Sequence, residues 1–134
     1  MAQEYIIDGS RINSLEDFYE QVSERLIPNT YWGRNLDAFN DILRGGFGTP
    51  DGGFVLRWTH SEISRVKLGY PETLRQLRGM LERCHPNNRG SVCDRIGQAE
   101  RGECATVFDW LVEIIVAHGT GGEEAEDNVL LILG

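Results

Sequence analysis

Lysine is almost absent. Of 13 basic residues in a chain of 134, twelve are arginine and Lys67 stands alone. The acidic residues number 21, which leaves a formal net charge of −8. Non-specific nucleic-acid binding depends on cations meeting phosphates, so so acidic a chain is not expected to bind nucleic acid directly. It is better suited to meeting a basic protein. Long apolar runs are missing too. None approaches the ~20 residues of a membrane span, and no membrane association is expected. The opening MAQEYIIDGS has neither the basic start nor the apolar stretch of a secretory signal, which sets the expectation of a cytoplasmic protein.

Cysteine is scarce and odd in number. Cys84, Cys93 and Cys104 in such a chain argue against a disulfide framework. Cys84 adjoins His85, but the spacings lack the paired C-x-x-C of common zinc sites, so no metal is expected. Catalytic and cofactor signatures are also wanting. Gly45-Gly46-Phe47-Gly48 and Gly119-Thr120-Gly121-Gly122 are glycine-rich, yet neither carries the lysine of a phosphate loop, and carboxylates follow the second. There is no G-x-S-x-G and no H-E-x-x-H. His60 follows a predicted strand, where α/β enzymes often place catalytic groups, but without a companion nucleophile it reads as structural. The expectation is a protein that is no enzyme and needs no cofactor.

What the chain does have is globular: 40% hydrophobic and 25% charged residues, in a length that suits one domain over 1–134. Glu4–Asp8 reads as a short buried strand. Ser14 is placed to cap a helix whose stripe is Leu15, Phe18, Val22 and Leu26, with Asp17 in the position of an acidic capping box and Pro28 as its stop. After a loop over 29–34, a shorter helix is predicted from about Asn35 to Leu43, stopped by Gly45 and Gly46. Thr49-Pro50-Asp51-Gly52 is a turn. Phe54–Trp58 is a second strand. Helices are predicted over 61–68 and from Pro71 onward, the latter carrying Leu74, Leu77 and Leu81 on one face. Residues 85–102, rich in glycine and asparagine, read as an exposed insertion. A helix over about 105–118 and a solvated acidic loop, Glu123–Asp127, lead to Val129–Leu133. That unbroken apolar run is typical of a strand buried on both faces. Strands alternating with helical crossovers imply an α/β domain with parallel strands.

The informative segment is YWGRNLDAFND, Tyr31 to Asp41. Asp37 and Asp41 stand four apart and share one helix face, where like charges cost an isolated helix roughly 0.2–0.5 kcal/mol. Asp37 lies near the N-terminus, which the helix dipole favours; Asp41 lies near the C-terminus, which it disfavours. A carboxylate placed against local preference points to a use beyond the helix itself.

This segment closely resembles the signature of the barstar family of ribonuclease inhibitors: an aromatic, Gly-x-Asn-Leu-Asp-Ala, an aromatic or leucine, then x-Asp. The flanks agree over about residues 4–70 and 105–133, while 85–102 has no counterpart in the family's namesake. The resemblance implies a three-stranded parallel sheet in order 1-2-3 with helices packed against it. It also implies a contact surface of Tyr31, Gly33, Asn35, Leu36, Asp37, Asn40, Asp41 and Gly45, on which Asp41 would take the place of a substrate phosphate and Asp37 would add a second charged contact. The implied partner is a basic secreted ribonuclease, barnase-like or guanyl-specific, bound by a chain that is monomeric when free. Two positions depart from the pattern: Asn40 stands in place of tryptophan and Arg34 in place of an acid. Glu113 falls one position from a further contacting glutamate. The other reading is an interaction module of the same fold whose target is not a nuclease.

Overall fold

The computed structural model describes residues 3–45, 48–50, 52–119 and 121–134. Gly46, Phe47, Asp51 and Thr120, which belong to the glycine runs and the turn read above, lie outside the described residues. Three parallel strands, β1 (Gln3–Asp8), β2 (Phe54–Thr59) and β3 (Val129–Leu133), form one sheet in the order β1-β2-β3. Among the described residues six α-helices connect them: α1 (Leu15–Arg25), α2 (Leu36–Leu43), α3 (Ser61–Lys67), α4 (Tyr70–Arg83), α5 (Arg89–Glu100) and α6 (Val107–Ala117). The implied α/β class and sheet order are those of the structure. No helix among the described residues is long and apolar enough to cross a membrane.

Side chains alternate across the sheet. Ile7, Phe54, Leu56, Trp58 and Val129 are buried on one face, with Tyr5 and Leu131 packed against them. The opposite face carries Glu4, Ile6, Val55, Arg57, Leu130 and Ile132, and Ile6 and Leu130 are 47% and 56% exposed. Two expectations are corrected here: β1 is buried on one side only, and β3 is an edge strand clad on one side. The reason is topological. When each right-handed crossover steps to the next strand in the same direction, all the crossover helices fall on one face.

The start of α1 is capped as its sequence predicts. Ser14 Oγ accepts from the Asp17 N–H at 3.2 Å, while the Asp17 carboxylate reaches one residue further back than a capping box, to the Asn13 N–H at 2.9 Å. Phe18 lies at the centre of the core. Its ring sits 5.2 Å from Phe39 of α2 and 5.0 Å from Trp58 of β2. Trp58 in turn touches Phe108 of α6 at 5.1 Å and donates its indole N–H to Ser64 Oγ at 2.9 Å.

Residues 85–102, read from the sequence as an exposed insertion, are exposed at most positions but regular in backbone. Most of this segment is the regular helix α5, which packs on α4 and buries Val92 and Ala99. Tyr70 pins the chain leaving it, its single hydroxyl proton shared between the carbonyls of Gly102 and Cys104 at 3.0 and 2.7 Å. The three cysteines are free thiols.

Glu72 of α4 is a buried carboxylate that binds the start of α1. It accepts from the Leu15 N–H at 2.8 Å, from Arg75 at 2.6 Å and from Gln76 at 3.1 Å. Burial pushes its carboxyl up, but these donors outweigh burial and hold it below the usual value. A folded-state value below the unfolded one stabilises the fold at neutral pH, and that contribution disappears as pH falls through the depressed value. Glu72→Ala is therefore expected to cost about 1–3 kcal/mol at neutral pH, by stranding the buried Leu15 N–H. The difference from the parent should shrink in acid. Urea melts of both proteins at about pH 7 and pH 3 measure this, and a difference independent of pH would refute the charged role.

Candidate functional site

The Tyr31–Asp41 segment is held from below by packing and from its ends by caps. Trp32 is buried against Tyr19 of α1, ring centroids 5.4 Å apart, and its indole N–H donates to Ser23 Oγ at 2.7 Å. That anchor fixes the loop while the adjacent Tyr31 stands 98% exposed. Arg34 holds a left-handed backbone (φ 49°) and pairs with Glu20 of α1. Asn35 caps α2, its Oδ1 accepting from the Ala38 N–H at 2.8 Å. A Cβ on Gly33 would come within 2.9 Å of the Asn35 side-chain amide, so glycine here leaves that cap undisturbed. At the other end Gly45 has φ 91° and donates its N–H to the Ile42 carbonyl at 3.1 Å, closing the helix in the left-handed conformation that glycine tolerates.

α2 turns Phe39, Ile42 and Leu43 inward, with Leu36 and Ala38 half-buried at the margin. Asp37 and Asp41 are exposed. Of the eight residues named from the resemblance, Tyr31, Gly33, Asn35, Asp37 and Asp41 are exposed, and Leu36, Asn40 and Gly45 are partly buried. Asn35 spends its side-chain oxygen on the cap. Asn40 is turned away from the acidic edge, its Oδ1 lying 2.7 Å from Nε2 of His118.

Asp41 is not a bare anion. Its Oδ1 accepts from Arg44 at 3.0 Å, and the same guanidinium grips Glu124 Oε1 through Nε at 2.9 Å and Nη2 at 2.5 Å. Arg44 and Asp41 are each about half exposed (48% and 51%), so the pair is worth at most about 1 kcal/mol and is easily exchanged for another cation.

The acidic stretch after α6 departs from the solvated loop read from the sequence. Glu124 reaches Arg44, and Asp127 lies 2.6 Å from Nδ1 of His118, which is fully buried. Glu124 Oε2 also faces His118 Nε2 at 3.3 Å. Only Glu123 and Glu126 project into solvent. No local pattern signals this, because His118 and Asn40 are 78 residues apart. His118, Glu124 and Asp127 have the residue types of a metal site. Their shortest separations, 2.6 and 2.7 Å at the two ring nitrogens, are hydrogen-bond lengths to Asp127 and Asn40. His60 lies in the turn between β2 and α3, exposed, and its side chain makes no cap hydrogen bond.

A half-exposed helix edge with two carboxylates, a protruding tyrosine and a rigid apolar underside suits a cleft lined with cations. Among known families, the model described as Barstar (barnase inhibitor) matches residues 2–109, from the first strand through α5 to the opening of α6.

Proposed function

The chain belongs to the barstar family, and from that premise we propose that it inhibits a basic ribonuclease by seating α2 and the loop before it in the enzyme's active site. The observation that carries this reading is the division of α2 into a locked apolar underside and an exposed edge bearing Asp37 and Asp41, with Tyr31 beside them. A ribonuclease site holds anionic phosphate with arginine, lysine and histidine. A carboxylate on a rigid helix offers that site an anion it cannot cleave, and arginine–carboxylate pairing is strong once water is excluded. The protein acts by occupation and performs no chemistry of its own. Its place of action is the cell interior, as protection against a nuclease made by the same cell.

The test is direct: add the protein to a microbial guanyl-specific ribonuclease and to a barnase-type one, and follow RNA cleavage. Stoichiometric loss of cleavage by either enzyme supports the reading. Undiminished cleavage, with a different basic protein retained from a lysate, favours the interaction module of the same fold instead. The withdrawal of Asn40 from the edge is the feature that favours that second reading, since it removes contact area where the family has tryptophan.

Steering supplies a further expectation. With a net charge of −8 meeting a basic enzyme, association should slow at least ~10-fold between low and high salt while dissociation changes less. Stopped-flow association rates across ionic strength measure it. A rate indifferent to salt excludes electrostatic steering.

A further inference from the structure

We propose that His118 is the positioning residue of the acidic edge: its buried ring ties the C-terminal half of α2 to the loop after α6, and the tie follows the ring's protonation. The proposal deepens the reading of α2 as a partner-binding helix and rests on it only for the binding measurement below.

His118 is built into the frame. It is the C-cap of α6, its N–H donating to the Ile115 carbonyl at 3.1 Å, and its own carbonyl accepts from the Val129 N–H at 2.9 Å, where β3 begins. The ring has no exposed surface. It touches two segments that the backbone alone does not join. On one side is α2, through Asn40. On the other is the acidic loop, through Asp127 and Glu124.

The proton inventory at the ring is unusual. A neutral imidazole has one N–H and one lone pair; only the imidazolium donates at both nitrogens. Here Asp127 Oδ2 faces Nδ1 at 2.6 Å, and Asn40 Oδ1 and Glu124 Oε2 face Nε2 at 2.7 and 3.3 Å. All three are acceptors as oriented, so this arrangement needs a proton on each nitrogen. With a neutral ring, Nδ1–H stays on Asp127, and Asn40 must reverse its carboxamide to offer an N–H to Nε2. Glu124 then faces a lone pair. The orientation of Asn40 and the hold on Glu124 thus depend on one proton.

From the ring, charged groups lead to the acidic edge: Glu124 Oε2 lies 3.3 Å from Nε2 as an ion-pair neighbour of the ring, not as a hydrogen-bond partner. Glu124 holds Arg44, and Arg44 holds Asp41. The charged groups facing the ring are Asp127 and Glu124; Arg44 stands behind Glu124, and Asp41 behind Arg44. The order of charge alternates from the core to the surface, so each member orients the next.

Two substitutions separate positioning from packing. A carboxamide in His118→Asn can replace Nδ1 as donor to Asp127 but falls short of Asn40. In His118→Gln it can reach Asn40 and Glu124 from the place of Nε2. Amide hydrogen exchange at Arg44 and Gly45 should rise about 10-fold in His118→Asn and return to within about 3-fold of the parent in His118→Gln, the scale of one hydrogen bond. In the parent, NMR titration should move the Asn40 carboxamide signals with the same midpoint as the His118 ring. Affinity for a barnase-type ribonuclease should fall about 10-fold in His118→Asn and recover in His118→Gln. Should His118→Asn fail to fold, Asn40→Ala cuts the same link from the surface and should raise the same exchange. Asn40 signals indifferent to the ring's titration, or equal exchange in the two His118 variants, would overturn the proposal. Exchange and titration as expected, with a parent that binds no ribonuclease, would leave this tie standing and remove the nuclease reading alone.

Discussion

Replacing Asp41 by alanine should leave the protein as stable as its parent and cost it at least ~2 kcal/mol of affinity for the basic ribonuclease proposed as its partner. The magnitude is that of interface hot spots in general, among which the barstar–barnase pair is itself a measured example. Stability is expected to hold because Asp41 sits late on α2, against the helix dipole and four residues from Asp37, and its exposed pair with Arg44 offsets those penalties only modestly. Arg44 keeps Glu124 when Asp41 is gone. Binding suffers because cations in the enzyme's site would be buried without their anion. Glu126→Ala is the control: the same change of charge, on an exposed residue of the acidic loop. Calorimetric titration of both variants, with urea melts alongside, decides the matter. Equal small losses would mean that net charge alone matters, and Asp41 as a phosphate mimic would have to be dropped.

Phe18→Ala should be the most damaging single truncation of the core, at about 3–5 kcal/mol. Against a total stability of about 5–15 kcal/mol, such a loss leaves a barely folded protein. The size follows from position. Phe18 is fully buried where α1, α2 and β2 meet, with Phe39 edge-on to its ring and Trp58 beside it. A cavity there removes support from the underside of α2 as well as from the sheet. The midpoint of a urea melt should fall accordingly. A loss below about 1.5 kcal/mol would show that the core collapses onto the hole and that Phe18 is not what α2 rests on.

Most elements were legible because their signals are local. The stripe from Leu15 to Leu26, the Ser14 cap, Pro71 in the first turn of α4 and Gly45 after α2 all stand where the structure uses them. The sheet order came from the resemblance, not from periodicity. An apolar run such as Val129–Leu133 cannot tell a strand covered twice from an edge strand covered once. The order 1-2-3 already contained the correction, since same-direction crossovers place every connecting helix on one side. α5 was obscured by Gly90 and Gly97, poor helix formers, although Val92, Ile96 and Ala99 recur at helical spacing. The exposed edge of α2 was readable from the motif. The role of Asn40 was not, because it depends on a histidine 78 residues away that no local pattern joins to it.

The sheet clad on one side has a practical consequence. α2 rests on the inner side of that sheet through Phe39, Phe18 and Trp58, so its acidic edge looks away from the strands. The uncovered strand face, with Ile6, Val55, Leu130 and Ile132, is therefore the back of the molecule when that edge is its front. A tether or dye attached at Leu130 leaves the front open to a bulky enzyme, and the two sides can be re-engineered independently.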